Sequence, residues 1–218
     1  MPMRVLLTGG GTGGHVYPAL SIAAGLRARL PEAEVLFVGT ATGLEARLVP
    51  RHGLPFVAVS ARGLAGKGPG GLVRGLASLA RGSWQALRVL RRFRPDVVVG
   101  TGGYVSGPVV AAAVLLGVPV ALQEQNAFPG AANRYLSRFA GFVAVAYEES
   151  RRHFPRRAPV VVTGNPVRPE VLRADRYEAR RRLGVADAER LVLVFMGSRG
   201  SATVNRAMVE ALPRLVGR

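Results

Sequence analysis

The chain has 218 residues, enough to bury a full core as one large domain, or as one domain with part of another. It has no cysteine, which excludes a disulfide framework and a thiolate metal site, and its three histidines, His15, His52 and His153, show no metal-ligand spacing. The net charge of +17 rests almost wholly on arginine, Lys67 being the sole lysine; it suits a polyanion or an anionic membrane face, or is a set of solvated arginines spread over many helices.

The first apolar run, Arg4-Val5-Leu6-Leu7, predicts a buried strand. It enters a glycine-rich turn, Thr8 to His15, and a helical pattern opens at Val16-Tyr17-Pro18. Strand, glycine turn and helix aim backbone N–H groups and a helix N-terminus at an anion. Pro18 suits a first helical turn, where its missing N–H costs nothing. No Lys-Ser/Thr follows, so this is not a Walker loop. Gly9, Gly11 and Gly14 satisfy G-x-G-x-x-G, but so dense a glycine run matches almost automatically. A tight turn without a ligand would carry the same glycines; His15 at its mouth favours a site.

Val35–Gly39 predicts a second strand, Gly43–Val49 a short helix and Phe56–Val59 a third strand. Strands alternating with helices give a parallel sheet with right-handed crossovers. After a glycine-rich loop at Ala61–Gly71, a basic helix is expected over Leu72–Phe93. A fourth strand, Pro95–Gly100, leads into a second glycine turn, Thr101 to Pro108, and a buried helix at Val109–Leu116. Val97–Leu122 lacks charge and is long enough to span a bilayer, but its glycines and prolines break it into strand, loop, helix and strand. The fifth strand, Val118–Leu122, ends at Gln123-Glu124-Gln125-Asn126, where site residues sit in such sheets. A helical end at Arg134–Phe139 and strands at Phe142–Val145 and Val160–Val162 follow. The two glycine turns should face one crevice at the carboxyl ends of the strands.

Thr163–Pro169 reads as a proline-bounded connector, Arg173–Leu183 as a basic helix and Leu191–Met196 as a fresh strand. A third glycine turn, Gly197–Ser201, and a last helix to Arg218 complete the chain. These expectations divide it into a domain at 1–163 and, at 164–218, a hinge with the incomplete start of a second domain, too few strands for a sheet of its own. No signal peptide is evident at the N-terminus.

The motifs together resemble the MurG family. They are Gly10 to Leu20, the Gly63-Leu64 to Gly66-Lys67-Gly68 loop, Gly102 to Pro108, Glu124-Gln125-Asn126, and Gly164 to Arg168. The resemblance implies two Rossmann-like domains facing across a cleft, the GT-B glycosyltransferase arrangement, with helices on both faces of each parallel sheet. It implies transfer of N-acetylglucosamine from UDP-GlcNAc to the muramyl C4 hydroxyl of undecaprenyl-pyrophosphoryl-MurNAc-pentapeptide (lipid I to lipid II) in peptidoglycan synthesis, with inversion and without a metal or other cofactor. His15 is then the expected base, with Glu124 as a second catalytic candidate. Thr12, Gly13, Gly14, Asn126, Arg168 and Ser198 would hold the donor, and Gly103, Tyr104, Val105 and Ser106 the acceptor pyrophosphate. Lys67, Leu72, Arg74, Leu76, Leu79, Arg81 and Trp84 would dock on the anionic inner leaflet, at the cytoplasmic face of the cell membrane; nucleic acid is not an expected partner. Two positions depart from the family pattern: Gln123 stands where His is usual, and the third turn reads Gly197-Ser198-Arg199-Gly200-Ser201.

Two other readings stay open. A nucleotide-sugar epimerase or dehydrogenase would need a ribose-binding carboxylate after the second strand, where Gly39-Thr40-Ala41-Thr42 supplies none. A catalytically silent membrane- or polyanion-binding α/β domain would suit the charge and the short second part.

Overall fold

The computed structural model describes residues 1–61, 69–196 and 200–215, without the side chains of 69–74 and 76. The chain divides into two compact units, Met1–Leu172 and Arg173–Arg218.

The first unit is built on seven parallel strands: β1 (Arg4–Thr8), β2 (Glu34–Gly39), β3 (Phe56–Ala58), β4 (Val97–Gly100), β5 (Val120–Glu124), β6 (Phe142–Val145) and β7 (Val160–Val162). They lie in the order β3-β2-β1-β4-β5-β6-β7. Between β1 and β4 the direction of winding reverses, and this switch point opens a crevice at the carboxyl ends of the strands. Leu6 pairs with Leu36 on one side and Val98 on the other, which fixes the register there.

Side chains alternate across the sheet, so each strand feeds two cores. Val5, Leu7, Val35 and Phe37 pack against α1 (Gly13–Arg29) and α2 (Leu44–Arg51) through Val16, Ala19, Leu20, Ala23 and Val49. Leu6, Val38, Val98 and Leu122 pack on the other face against α3 (Pro69–Phe93) and α4 (Ser106–Leu115), through Ala86, Leu90, Val109 and Val110. Leu6 is fully buried at the centre, and Leu6→Ala would cost about 2–5 kcal/mol. α5 (Ala131–Leu136) and a 3₁₀ turn at Ser137–Phe139 cover the β5–β6 side.

Several expectations change. α1 begins at Gly13, not at Val16, because Gly11 takes a positive φ of 86° and reverses the chain, leaving extended Thr12 to cap the helix. Pro18 therefore lies inside the helix, where it cannot donate to the Gly14 carbonyl. α4 likewise starts earlier, at Ser106, and β5 runs on to Glu124, so Gln123 and Glu124 are held in the sheet and not in a loop.

The connector ends in a single turn of helix, α6 (Pro169–Leu172). In the second unit, α7 (Arg176–Leu183) is capped by Asp175, which accepts from the Glu178 N–H at 2.7 Å, and is closed by left-handed Gly184. The Arg180 side chain is buried and donates to the Ala186 and Glu189 carbonyls. α8 spans Ala202–Leu215. The strand expected at Leu191–Met196 pairs with no other among the described residues, and its side chains are largely exposed. A lone strand leaves its backbone groups without partners, so its apolar sequence does not suffice to form one.

Candidate active site

The two glycine turns follow β1 and β4, the strands flanking the switch point, and they interlock. Gly10 donates its N–H to the Gly102 carbonyl at 3.3 Å, and Thr101 donates its N–H to the Thr8 carbonyl at 2.9 Å. The Thr101 hydroxyl donates to the His15 carbonyl at 2.7 Å, and the Ser106 hydroxyl to the Gly102 carbonyl at 2.8 Å. Gly103 has a φ of 83°, and a Cβ there would stand 2.2 Å from the Gly10 carbonyl oxygen. Only glycine lets the turns touch in this way.

His15 sits half-buried at this junction, against Gly102. Its Nδ1 lies 3.2 Å from the Gly10 carbonyl oxygen and 3.2 Å from the Thr12 hydroxyl. A carbonyl can only accept, so the bond to Gly10 places the proton on Nδ1 and leaves the Nε2 lone pair free. Burial pulls the His15 pKa below the ordinary 6.5, against the raising effects of the Gly10 bond and of the Glu124 and Glu45 carboxylates. A neutral imidazole with a free Nε2 is a general base.

Thr12 makes no capping hydrogen bond. Among the described residues no acceptor takes the N–H groups of Thr12, Gly13 or Gly14. These donors at a helix N-terminus suit an anion. Arg168, exposed on the connector, holds its guanidinium 4.9 Å from the Tyr17 ring on α1. The sheet thus brings Thr12, Gly13, Gly14, His15 and Arg168 toward one edge of the first unit.

Glu124 is 1% exposed. Its carboxylate accepts from the Asn126 N–H and side-chain amide at 3.0 and 2.8 Å, from the Gly130 N–H at 3.1 Å and from the Asn133 amide at 2.9 Å. Its oxygens are taken up in fixing the loop that presents Asn126. Of the second turn, Val105 and Ser106 are fully buried, so their side chains brace the fold, while Tyr104 is 39% exposed beside Gly11. Gln123 is buried and donates to the Asn165 side chain at 3.3 Å.

Lys67 and Ser198 lie outside the described residues, as do the side chains of Leu72, Arg74 and Leu76. The remaining residues of the expected membrane patch divide around α3. Leu79 is exposed, though it shares the helical stripe of buried Ala86 and Leu90, and exposed Arg81 lines a cavity of about 530 Å³ with Thr40, Ser60, Ser78 and Gln85. Trp84 is 57% exposed and carries the Arg88 guanidinium 4.7 Å from its ring. No described helix is long and apolar enough to cross a membrane, and no cluster of three or more His, Asp or Glu among the described residues could hold a metal.

Glu45 was missed in the sequence. It is fully buried on α2 and accepts from the Thr40 N–H, the Thr40 hydroxyl and the Gly11 N–H at 2.9, 2.7 and 3.1 Å. A carboxylate therefore does lie at the end of β2, but it is committed to the protein and not offered to a ribose.

A parallel Rossmann-like sheet with two interlocked glycine turns at its switch point, and a histidine between them, defines a ligand-binding α/β domain, and its likeness to solved MurG makes it one of the GT-B glycosyltransferase type. The model of the glycosyltransferase family 28 N-terminal domain matches residues 5–145, and the chain belongs to that family. It is 53% identical over 211 residues to the Desulforudis audaxviator UDP-N-acetylglucosamine--N-acetylmuramyl-(pentapeptide) pyrophosphoryl-undecaprenol N-acetylglucosamine transferase, covering 96% of this chain and 56% of the relative. Acinetobacter baumannii MurG superposes with a TM-score of 0.72 at 33% identity, over 99% of this chain and 58% of that one. A UDP-N-acetylglucosamine 2-epimerase superposes with a TM-score of 0.55 at 16% identity over 76% of this chain and 49% of that one, a likeness of fold alone. The chain spans little more than half the length of the curated relatives it matches.

Proposed function

We propose that this chain forms the acceptor-side part of an inverting transferase that moves N-acetylglucosamine from UDP-GlcNAc to the C4 hydroxyl of undecaprenyl-pyrophosphoryl-MurNAc-pentapeptide. The observation that carries the reading is the His15 geometry: Nδ1 bonded to the Gly10 carbonyl, and Nε2 free at the junction of two glycine turns. Nε2 takes the C4 hydroxyl proton as the oxygen attacks the anomeric carbon. The bond from that carbon to UDP breaks on the opposite face, so the configuration inverts. The N–H groups of Thr12, Gly13 and Gly14, together with Arg168, support the departing diphosphate. Asn126, held by Glu124, contacts the donor. Gly103 and Tyr104 receive the acceptor pyrophosphate. No cofactor enters the scheme; UDP-GlcNAc is a substrate.

The acceptor is lipid-linked, so the enzyme works as a peripheral protein on the cytoplasmic face of the membrane. The basic α3, with Trp84 and Arg88 exposed together, supports docking on an anionic surface.

The test is transfer of labelled N-acetylglucosamine to a soluble-chain acceptor analogue, beside direct binding of both substrates, for the chain and its His15→Ala variant. Saturable acceptor binding, and transfer that is lost in the variant, support the reading. Acceptor or vesicle binding without transfer supports the rival reading of a silent binding domain. Binding of neither substrate overturns the proposal.

A further inference from the structure

We propose that Glu45 is a positioning residue for His15 and acts through the single peptide group that joins Gly10 to Gly11. The inference rests on His15 serving as the base, and adds to that reading the carboxylate that sets its tautomer.

The Gly10 carbonyl and the Gly11 N–H belong to the same peptide unit. The carbonyl accepts from His15 Nδ1 at 3.2 Å, and the N–H donates to Glu45 Oε2 at 3.1 Å. The result is a continuous line from carboxylate to peptide to imidazole. Each of the three donors reaching Glu45 is an N–H or O–H group, the set an acceptor-only carboxylate takes. A carboxylate on the N–H side polarises the peptide and makes its carbonyl the stronger acceptor, since linked hydrogen bonds reinforce one another. In hydrolytic triads a carboxylate orients the imidazole by direct contact. Here one amide stands between them.

The arrangement answers a competition visible at Nδ1. The Thr12 hydroxyl, also at 3.2 Å, could donate to Nδ1 and leave the proton on Nε2, which would disable the base. Glu45 tips the balance toward Gly10. The other carboxylate facing the ring, Glu124 on β5, is already satisfied by four donors and makes no bond to the imidazole. The packing reserves this place for Glu45: a Cβ on Gly10 or on Gly43 would stand 2.4 or 2.2 Å from its Oε1.

The experiment is a long-range proton–nitrogen correlation spectrum of the histidine rings in the ¹⁵N-labelled chain, with His15 assigned by His15→Ala. It needs no turnover, so its outcome is separate from that of the transfer assay. In the wild-type chain above the His15 midpoint we expect Nδ1 protonated and Nε2 bare. In Glu45→Gln, shown to be folded by its amide spectrum, we expect loss of that preference, with mixed tautomers and a midpoint moved down because a neighbouring negative charge is gone. Should Glu45→Gln not fold, Glu45→Asp, which retracts the carboxylate, should show the same loss. A wild-type ring protonated on Nε2, or an unchanged tautomer in the folded variant, overturns the proposal.

Discussion

The two glycine turns share one local grammar, a buried strand, glycines and a helix, yet do different work. The first turns its chemistry outward: among the described residues the N–H groups of Thr12, Gly13 and Gly14 lack acceptors and His15 Nε2 has no partner. The second turns inward: Thr101 and Ser106 are fully buried, and their hydroxyls satisfy carbonyls of Thr8, Gly102 and His15. A reactive turn so rich in glycine has little of its own to hold it in shape, since glycine loses the most backbone entropy on ordering. The second turn and Glu45 supply that order from either side.

The comparison breaks most completely at Gly103. Gly103→Ala puts a methyl against the Gly10 carbonyl in a left-handed backbone, and should destabilise the first unit by about 3 kcal/mol or more. Denaturant unfolding followed by Trp84 fluorescence, the chain's single tryptophan, reads this directly. An alanine tolerated there would mean the turns are not in contact.

His15→Ala should separate the two roles. Transfer is expected to fall by roughly a hundredfold or more, while the unfolding midpoint moves little, because the ring is a catalytic group on a frame held by others. Equal losses of activity and stability would assign His15 to the frame.

Thr101→Val probes the brace from the opposite side. It leaves the His15 carbonyl without its 2.7 Å donor and should cost about 1–3 kcal/mol in unfolding experiments. If stability were unchanged, the second turn would not be the support described here.

The smallest effect is on pH dependence. Unfolded histidine protonates near 6.5 and folded His15 at a lower pH. Between those midpoints the unfolded state binds more protons, so the contribution of His15 to stability declines as pH falls through 6.5 toward the folded midpoint. The difference in stability between wild type and His15→Ala should show this slope below pH 6.5 and none above it. The opposite slope would mean that the ring gains, and does not lose, affinity for a proton on folding.

The sequence by itself determined the alternation of strands and helices, the parallel sheet, and the placing of two glycine turns at one edge. Apolar runs of three to six residues between glycines and prolines admit few other readings, and Phe142–Val145 and Val160–Val162 appear as strands at the residues expected. His15 was legible because it stands directly after a glycine turn. Tertiary structure alone decided where Gly13 and Gly14 sit, since glycine has poor helix propensity and joins α1 only because the turn is pinned from outside. It decided that Leu191–Met196 pairs with nothing described, because a strand is defined by its neighbour. It also decided that Glu124 fixes a loop and that Glu45 lies under Gly11. Those two carboxylates carry no periodic signal, and their roles come from which N–H groups the folded backbone happens to point at them.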